Sequence, residues 1–254
     1  MMLRCRSLPL AVLALSVAGG VAAVYTGPAF PAQTQVERSI PPSLERLSVM
    51  RHHFVQVTLV HEAVIRGDLA SVRAPAMELA YMPIPPGTLT QAVPFVVAIS
   101  AAARRAAEAT DLGSAAAATA SMLRQCAECH RAVGVMPSPS AIVRPDVGGL
   151  VGHMLEHQRA IDDLLQGLLI PSAPQWSRGA ERLRVAPLRQ GDLPRDPLLT
   201  GSVKRADARV HQIAEQAVLA SSPLSRAAAY GDLLATCAEC HGLHRKIWGP
   251  GRGF

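Results

Sequence analysis

The chain carries one pentapeptide twice, Cys-Ala-Glu-Cys-His, at residues 126–130 and 237–241. These copies hold four of the five cysteines, Cys5 being the remaining one. Two thiols three positions apart, followed directly by an imidazole, are what covalent haem attachment requires. Each thiol adds across one vinyl group of the porphyrin, and the histidine after the second cysteine faces the iron from the proximal side. Cys126, Cys129 and His130 make one such set, and Cys237, Cys240 and His241 make the other. The expected cofactors are two covalently attached haem c groups.

Three other uses of paired cysteines fit less well. A zinc site brings its two Cys-x-x-Cys pairs within about 15–20 residues and has no need of a histidine placed identically after both. A thioredoxin-like redox pair sits at the end of a strand, and no strand-like run precedes either copy. A structural disulfide does not call for the histidine.

Thioether attachment of this kind needs an exported chain, and the N-terminus agrees. Arg4 and Arg6 precede an uncharged apolar run from Leu8 to Val24, with small residues Val21, Ala22 and Ala23 at its end. This is the pattern of a cleaved signal peptide, assigned with its following segment to residues 1–32. The alternative is an uncleaved membrane anchor, for which the run is at the lower limit of length. Cys5 lies before the run, which argues against a lipoprotein cleavage site and removes it with the leader. The expected location is periplasmic. Loss of Arg4 and Arg6 lowers the formal charge from +6 to +4, with Lys and Arg dispersed, so nucleic acid is not an expected partner. Aromatic residues make up only 4% of the chain, and the abundance of alanine suits closely packed helices.

The remainder divides at a Pro- and Gly-rich stretch, residues 133–146, into segments 40–132 and 147–254, each ending in the pentapeptide. Shifting the second segment back by 104 places His157 on His53, Met154 on Met50 and Ser172 on Asp68. The motifs themselves match at 111, with the extra residues falling in the Pro-rich stretch 187–197. Each segment reads as four helices, at 43–66, 69–82, 90–110 and 113–131, then 147–169, 173–186, 199–220 and 223–247. Gly67, the 83–87 run and residues 111–113 punctuate the first, and Ser222–Pro223 is a strong helix start. No period-two run suggests a strand. The expected fold is all-α, two tandem four-helix bundles with one haem on the last helix of each.

The first helix of each segment has an apolar seam broken by one histidine. In the second it runs Val147, Leu150, Met154, His157, Ile161, Leu164, Leu168; in the first, Met50, His53, Val57, Val60, Val64. A buried imidazole is costly unless satisfied, and here it recurs in two segments that each carry a haem motif. His53 and His157 are therefore the expected distal ligands opposite His130 and His241. Met50 and Met154 are the alternatives, one turn away on the same face; an open distal site ranks third. His52 and His153 lack counterparts under the shift and rank lower. His61, His211 and His244 are expected at the surface, or in the case of His244 beside the haem edge. Arg131, Arg245 and Lys246 offer cations to haem propionates or to the helix C-termini, and Trp248 offers a ring to cover a haem edge.

A haem motif near the end of a four-helix segment, with the distal position on the first helix, resembles the class II c-type cytochromes, the cytochrome c-prime and c-556 group. The resemblance implies periplasmic four-helix bundles that transfer electrons, or bind small gases where the distal site is open. The duplication and the histidine at the distal position depart from that pattern. Class I cytochromes c are excluded because they place the motif early, and only 13 residues follow His241. The expected function is an exported dihaem electron carrier with both irons bis-histidine, not an enzyme, serving redox proteins in the periplasm or at the membrane surface, with homodimerisation possible. The alternatives are a gas-binding or sensory haem protein, or a haem subunit of a larger redox enzyme.

Overall fold

The computed structural model describes residues 42–84, 87–135, 137, 145–186, 188–193 and 197–248. The expected signal peptide, most of the expected 133–146 linker, and the side chains of Lys246 and Trp248 lie outside the described residues. Eight α-helices and two short 3-10 turns account for the regular structure, and no strand occurs among the described residues. The helices are α1 (Pro42–Ile65), α2 (Leu69–Tyr81), α3 (Val93–Ala107), α4 (Leu112–Val133), α5 (Gly149–Leu169), α6 (Ala173–Arg184), α7 (Pro197–Leu219) and α8 (Pro223–Trp248). All eight expected helices are present. The third is shorter than expected: a 3-10 turn, Thr90–Ala92, leads into α3, whose true start is set by Pro94 in its first turn.

Side-chain caps fix the helix starts. Asp68 accepts from the Ser71 amide at 3.3 Å and Ser172 from the Gln175 amide at 3.4 Å. Asp111 starts α4 by accepting from the amide and hydroxyl of Ser114, both at 2.7 Å. Ser222 caps α8 through the Ser225 amide at 3.0 Å. Each of these satisfies an amide that the helix itself leaves unpaired.

The internal repeat is visible in the backbone. At the α1–α2 turn the Asp68 amide donates to the Ala63 carbonyl at 2.9 Å; at the α5–α6 turn the Ser172 amide donates to Gly167 at 3.0 Å. Both donors and both acceptors differ by the same 104 positions. The seams are buried as expected at Val57, Val60 and Val64 and at Ile161, Leu164 and Leu168. Toward the N-terminal ends they open, with Met50 43% and Val147 43% exposed.

The repeats are not strung end to end. The described residues form one compact body, and α4 packs on α8 as extensively as on its own neighbour α3. Small residues permit the approach: a Cβ added to Gly231 of α8 would lie 3.4 Å from the Cβ of Ala120 and 3.5 Å from the Cα of Ala117. Gly231 and Ala120 are themselves counterparts under the 111 offset, so α4 and α8 meet at equivalent positions. The outer helices interleave as well, α1 touching both α4 and α8, and α5 touching both α8 and α4. One core cluster runs through both repeats, from Val60, Leu79 and Leu123 to Leu164, Trp176 and Leu234. Trp176 donates its indole N–H to the Ala217 carbonyl at 2.8 Å, which satisfies its one polar atom in that core.

Candidate haem-attachment and ligand sites

Both motifs lie in the last turns of helices, 126–130 in α4 and 237–241 in α8. Helical spacing puts positions i and i+3 on one face, so the two cysteines of each motif share a side of the helix. All four are free thiols. Burial pushes the Cys126 and Cys237 thiols up to about 12, and raises Cys129 and Cys240 as well. No group of three or more ligating side chains among the described residues includes a cysteine. The two cysteine pairs therefore do not join in one thiolate cluster among the described residues.

His130 is fixed by its Nδ1, which lies 2.9 Å from the carbonyl oxygen of Leu169. A carbonyl only accepts, so Nδ1 carries the proton and the Nε2 lone pair is left for a metal. His241 is treated alike: the Ile65 backbone holds its ring and opposes the lowering of its pKa by burial.

His157 is buried, and its Nε2 has no hydrogen-bond partner. Burial, then the neighbouring His153, lower its pKa to about 3, so the ring is neutral. A buried, neutral imidazole with an unsatisfied nitrogen is an uncommon and costly arrangement in a protein interior. His241 is among the groups whose charge acts on His157, so these two expected ligands of the second haem share one neighbourhood. His53 is half-buried on α1, its pKa lowered by burial and then by His52. Among the described contacts none joins His53 to His130. Met154 is partly buried and Met50 exposed, so Met50 stands further out of the core than His53.

His153, which ranks below His157 for want of a counterpart, is well placed: its Nε2 lies 2.9 Å from Asp207 Oδ1, and its ring centroid is 4.2 Å from that of His157. His153, His157 and Asp207 present ligating atoms within 4.8 Å of one another. Asp207, on α7, was not singled out from the sequence because an acid on an amphipathic helix is ordinarily solvated. His61 is not at the surface: it is 3% exposed, with its Nε2 2.7 Å from the Tyr230 hydroxyl. Arg245 is engaged by Asp68 at 2.8 Å, and Arg131 pairs with Glu128. His52, for its part, bonds Glu78 at 2.7 Å.

A cleft of about 750 Å³ is lined by Gly67, Leu112, Ala235, Glu239 and Arg245 among others. Residues 235, 239 and 242 fall on the side of α8 opposite Cys237 and His241, so this cleft is not the face of the motif. Compared with known proteins, the chain matches no family model, no curated protein and no solved structure.

Proposed function

We propose that the protein is an exported dihaem c-type cytochrome that carries electrons, built from two four-helix repeats of the class II kind packed into one body. The observation that carries this reading is the duplicated Cys-Ala-Glu-Cys-His on the last helix of each repeat, with the motif histidine held so that one ring nitrogen is left for iron. Cys126 and Cys129, and Cys237 and Cys240, would hold the two porphyrins as thioethers, each S–H adding across a vinyl C=C. His130 and His241 would be the proximal ligands, with His53 and His157 on the distal side. The haem supplies a one-electron Fe(III)/Fe(II) couple when bound.

The chain's own residues do the rest. The Leu169 carbonyl fixes the His130 tautomer and ring orientation. Val57, Val60 and Val64, with Ile161, Leu164 and Leu168, bury the stretches of α1 and α5 that follow His53 and His157. The unsatisfied His157 Nε2 supports a ligand role, because ligation would supply the partner that it lacks among protein groups. A bis-histidine site has no position for a substrate, which favours a carrier over a gas-binding protein or an enzyme subunit.

The test is the mass and absorbance of the denatured chain after export. Two haems per chain that stay attached through denaturation are expected, and one haem after both cysteines of either motif are changed to alanine. A chain exported without covalent haem contradicts the reading. His53→Ala and His157→Ala should each turn one haem high-spin; if neither does, the distal assignment falls.

One observation favours a second reading, the His153–His157–Asp207 constellation. Two imidazoles and a carboxylate suit a divalent transition metal bound directly by the protein. Zinc or iron in excess of two haem irons per chain, lost in His153→Ala, would support it. Metal content equal to the haem iron would exclude it.

A further inference from the structure

We propose that the two haem motifs exchange their proximal anchors, so that the α1–α2 turn of the first repeat positions the second haem's histidine and the end of α5 positions the first. This rests on the dihaem reading above and concerns what sets the properties of each site.

The exchange is seen at both motifs. His130, in the first repeat, donates Nδ1–H to Leu169, the last residue of α5 in the second repeat. His241, in the second repeat, is held by the backbone of Ile65, the last residue of α1 in the first repeat. Leu169 and Ile65 are counterparts under the 104 offset, so the crossing is reciprocal. It follows from the packing of α4 on α8, which turns each motif toward the other repeat's first helix.

At the second motif the anchor is reinforced on either side. Gly67, directly after the turn's Arg66, has φ +66, and a Cβ there would lie 2.5 Å from the Gly242 nitrogen and 2.7 Å from the Ala238 oxygen. Those atoms are backbone of α8, on both sides of His241, and have no freedom to yield. Asp68 Oδ2 then pairs with Arg245 Nη1 at 2.8 Å, one turn beyond His241. The first motif lacks this reinforcement, since the counterparts of Asp68 and Arg245 are Ser172 and Gly134. Gly67 and Asp68 are thus positioning residues for a ligand in the other repeat. A hydrogen bond from the far ring nitrogen makes an imidazole a stronger donor to its metal. Stronger donation favours the ferric state, so loosening the anchor should raise the potential.

The experiment compares the full dihaem chain with Asp68→Asn, Arg245→Gln and Gly67→Ala, after the haem content of each has been measured. Asp68→Asn keeps the N-cap of α2, because asparagine caps as well as aspartate, and removes the ion pair together with the hydrogen bond that Oδ2 accepts from the Ser71 hydroxyl. The two midpoint potentials are assigned in chains in which one motif has both cysteines replaced by alanine. The expected result is a rise in the second haem's potential in Asp68→Asn and in Arg245→Gln, with the first haem unmoved. Gly67→Ala should produce a larger rise, with faster exchange of the His241 ring N–H; if that variant fails to fold, the two milder ones decide. With two haems present, a shift at the first haem instead, equal shifts at both, or none at either overturns the exchange and leaves the dihaem reading standing. A wild-type chain without covalent haem overturns both.

Discussion

At the scale of single residues, the pair His61–Tyr230 shows how the interior selects a protonation state. The two rings stack with centroids 5.9 Å apart, fully enclosed, and burial lowers His61 to about 4. The unfolded chain returns it to roughly 6.5. The unfolded state therefore binds a proton that the folded state refuses. This group's contribution to stability is complete above pH 6.5 and is lost as pH falls toward 4, at up to about 1.4 kcal/mol per pH unit. Denaturation across that range should show the slope, and the double variant His61→Leu, Tyr230→Phe should reduce it. An unchanged slope would mean that His61 is not the acid-sensitive group. At neutral pH, Tyr230→Phe alone leaves the His61 nitrogen buried and unpaired, and should cost about 1–3 kcal/mol. The double variant, which removes both polar partners, should cost less than that.

At the scale of elements, the helices were largely legible and their mutual packing was not. Caps at Asp68, Ser172 and Ser222, and breaks at Gly67 and residues 111–113, are local signals, and the helices begin close to where those signals lie. The register between repeats was also legible, because it rests on residue identities 104 positions apart, and it is what led to His157. The crossing of α4 on α8 was hidden, since Ala116, Ala117, Ala120 and Gly231 read simply as helix-forming or small residues until a second helix is laid against them. The crossing makes a specific demand on size. Gly231→Ala places its methyl at ordinary contact distance and gains helix propensity, so it should stabilise the fold by up to about 1 kcal/mol. Gly231→Leu has no space and should destabilise it by about 1–3 kcal/mol. Thermal melts of the two variants check the sign; a neutral leucine would mean that the helices do not approach so closely.

For the whole molecule, duplication accounts for what could be read and for part of what could not. Comparison of the chain with itself identifies residues that occur in both copies, such as the motifs and the histidine pair. It is blind to residues present in one copy only. His61 has Leu165 as its counterpart and His153 has Val49, so the offset passes over both, although one joins α1 to α8 and the other joins α5 to α7. These unique residues make the two ligand neighbourhoods unlike, with a buried imidazole–carboxylate pair beside His157 and a more exposed setting at His53. Two haems in such a chain should have different potentials, as suits passage of an electron from one to the other. The central claim, that both irons are closed by histidine on the distal side, is tested most directly by visible spectra of the purified holoprotein, oxidised and reduced, with and without carbon monoxide. The account predicts low-spin bands in both redox states that carbon monoxide leaves unchanged. Immediate binding of the gas at either haem would contradict it.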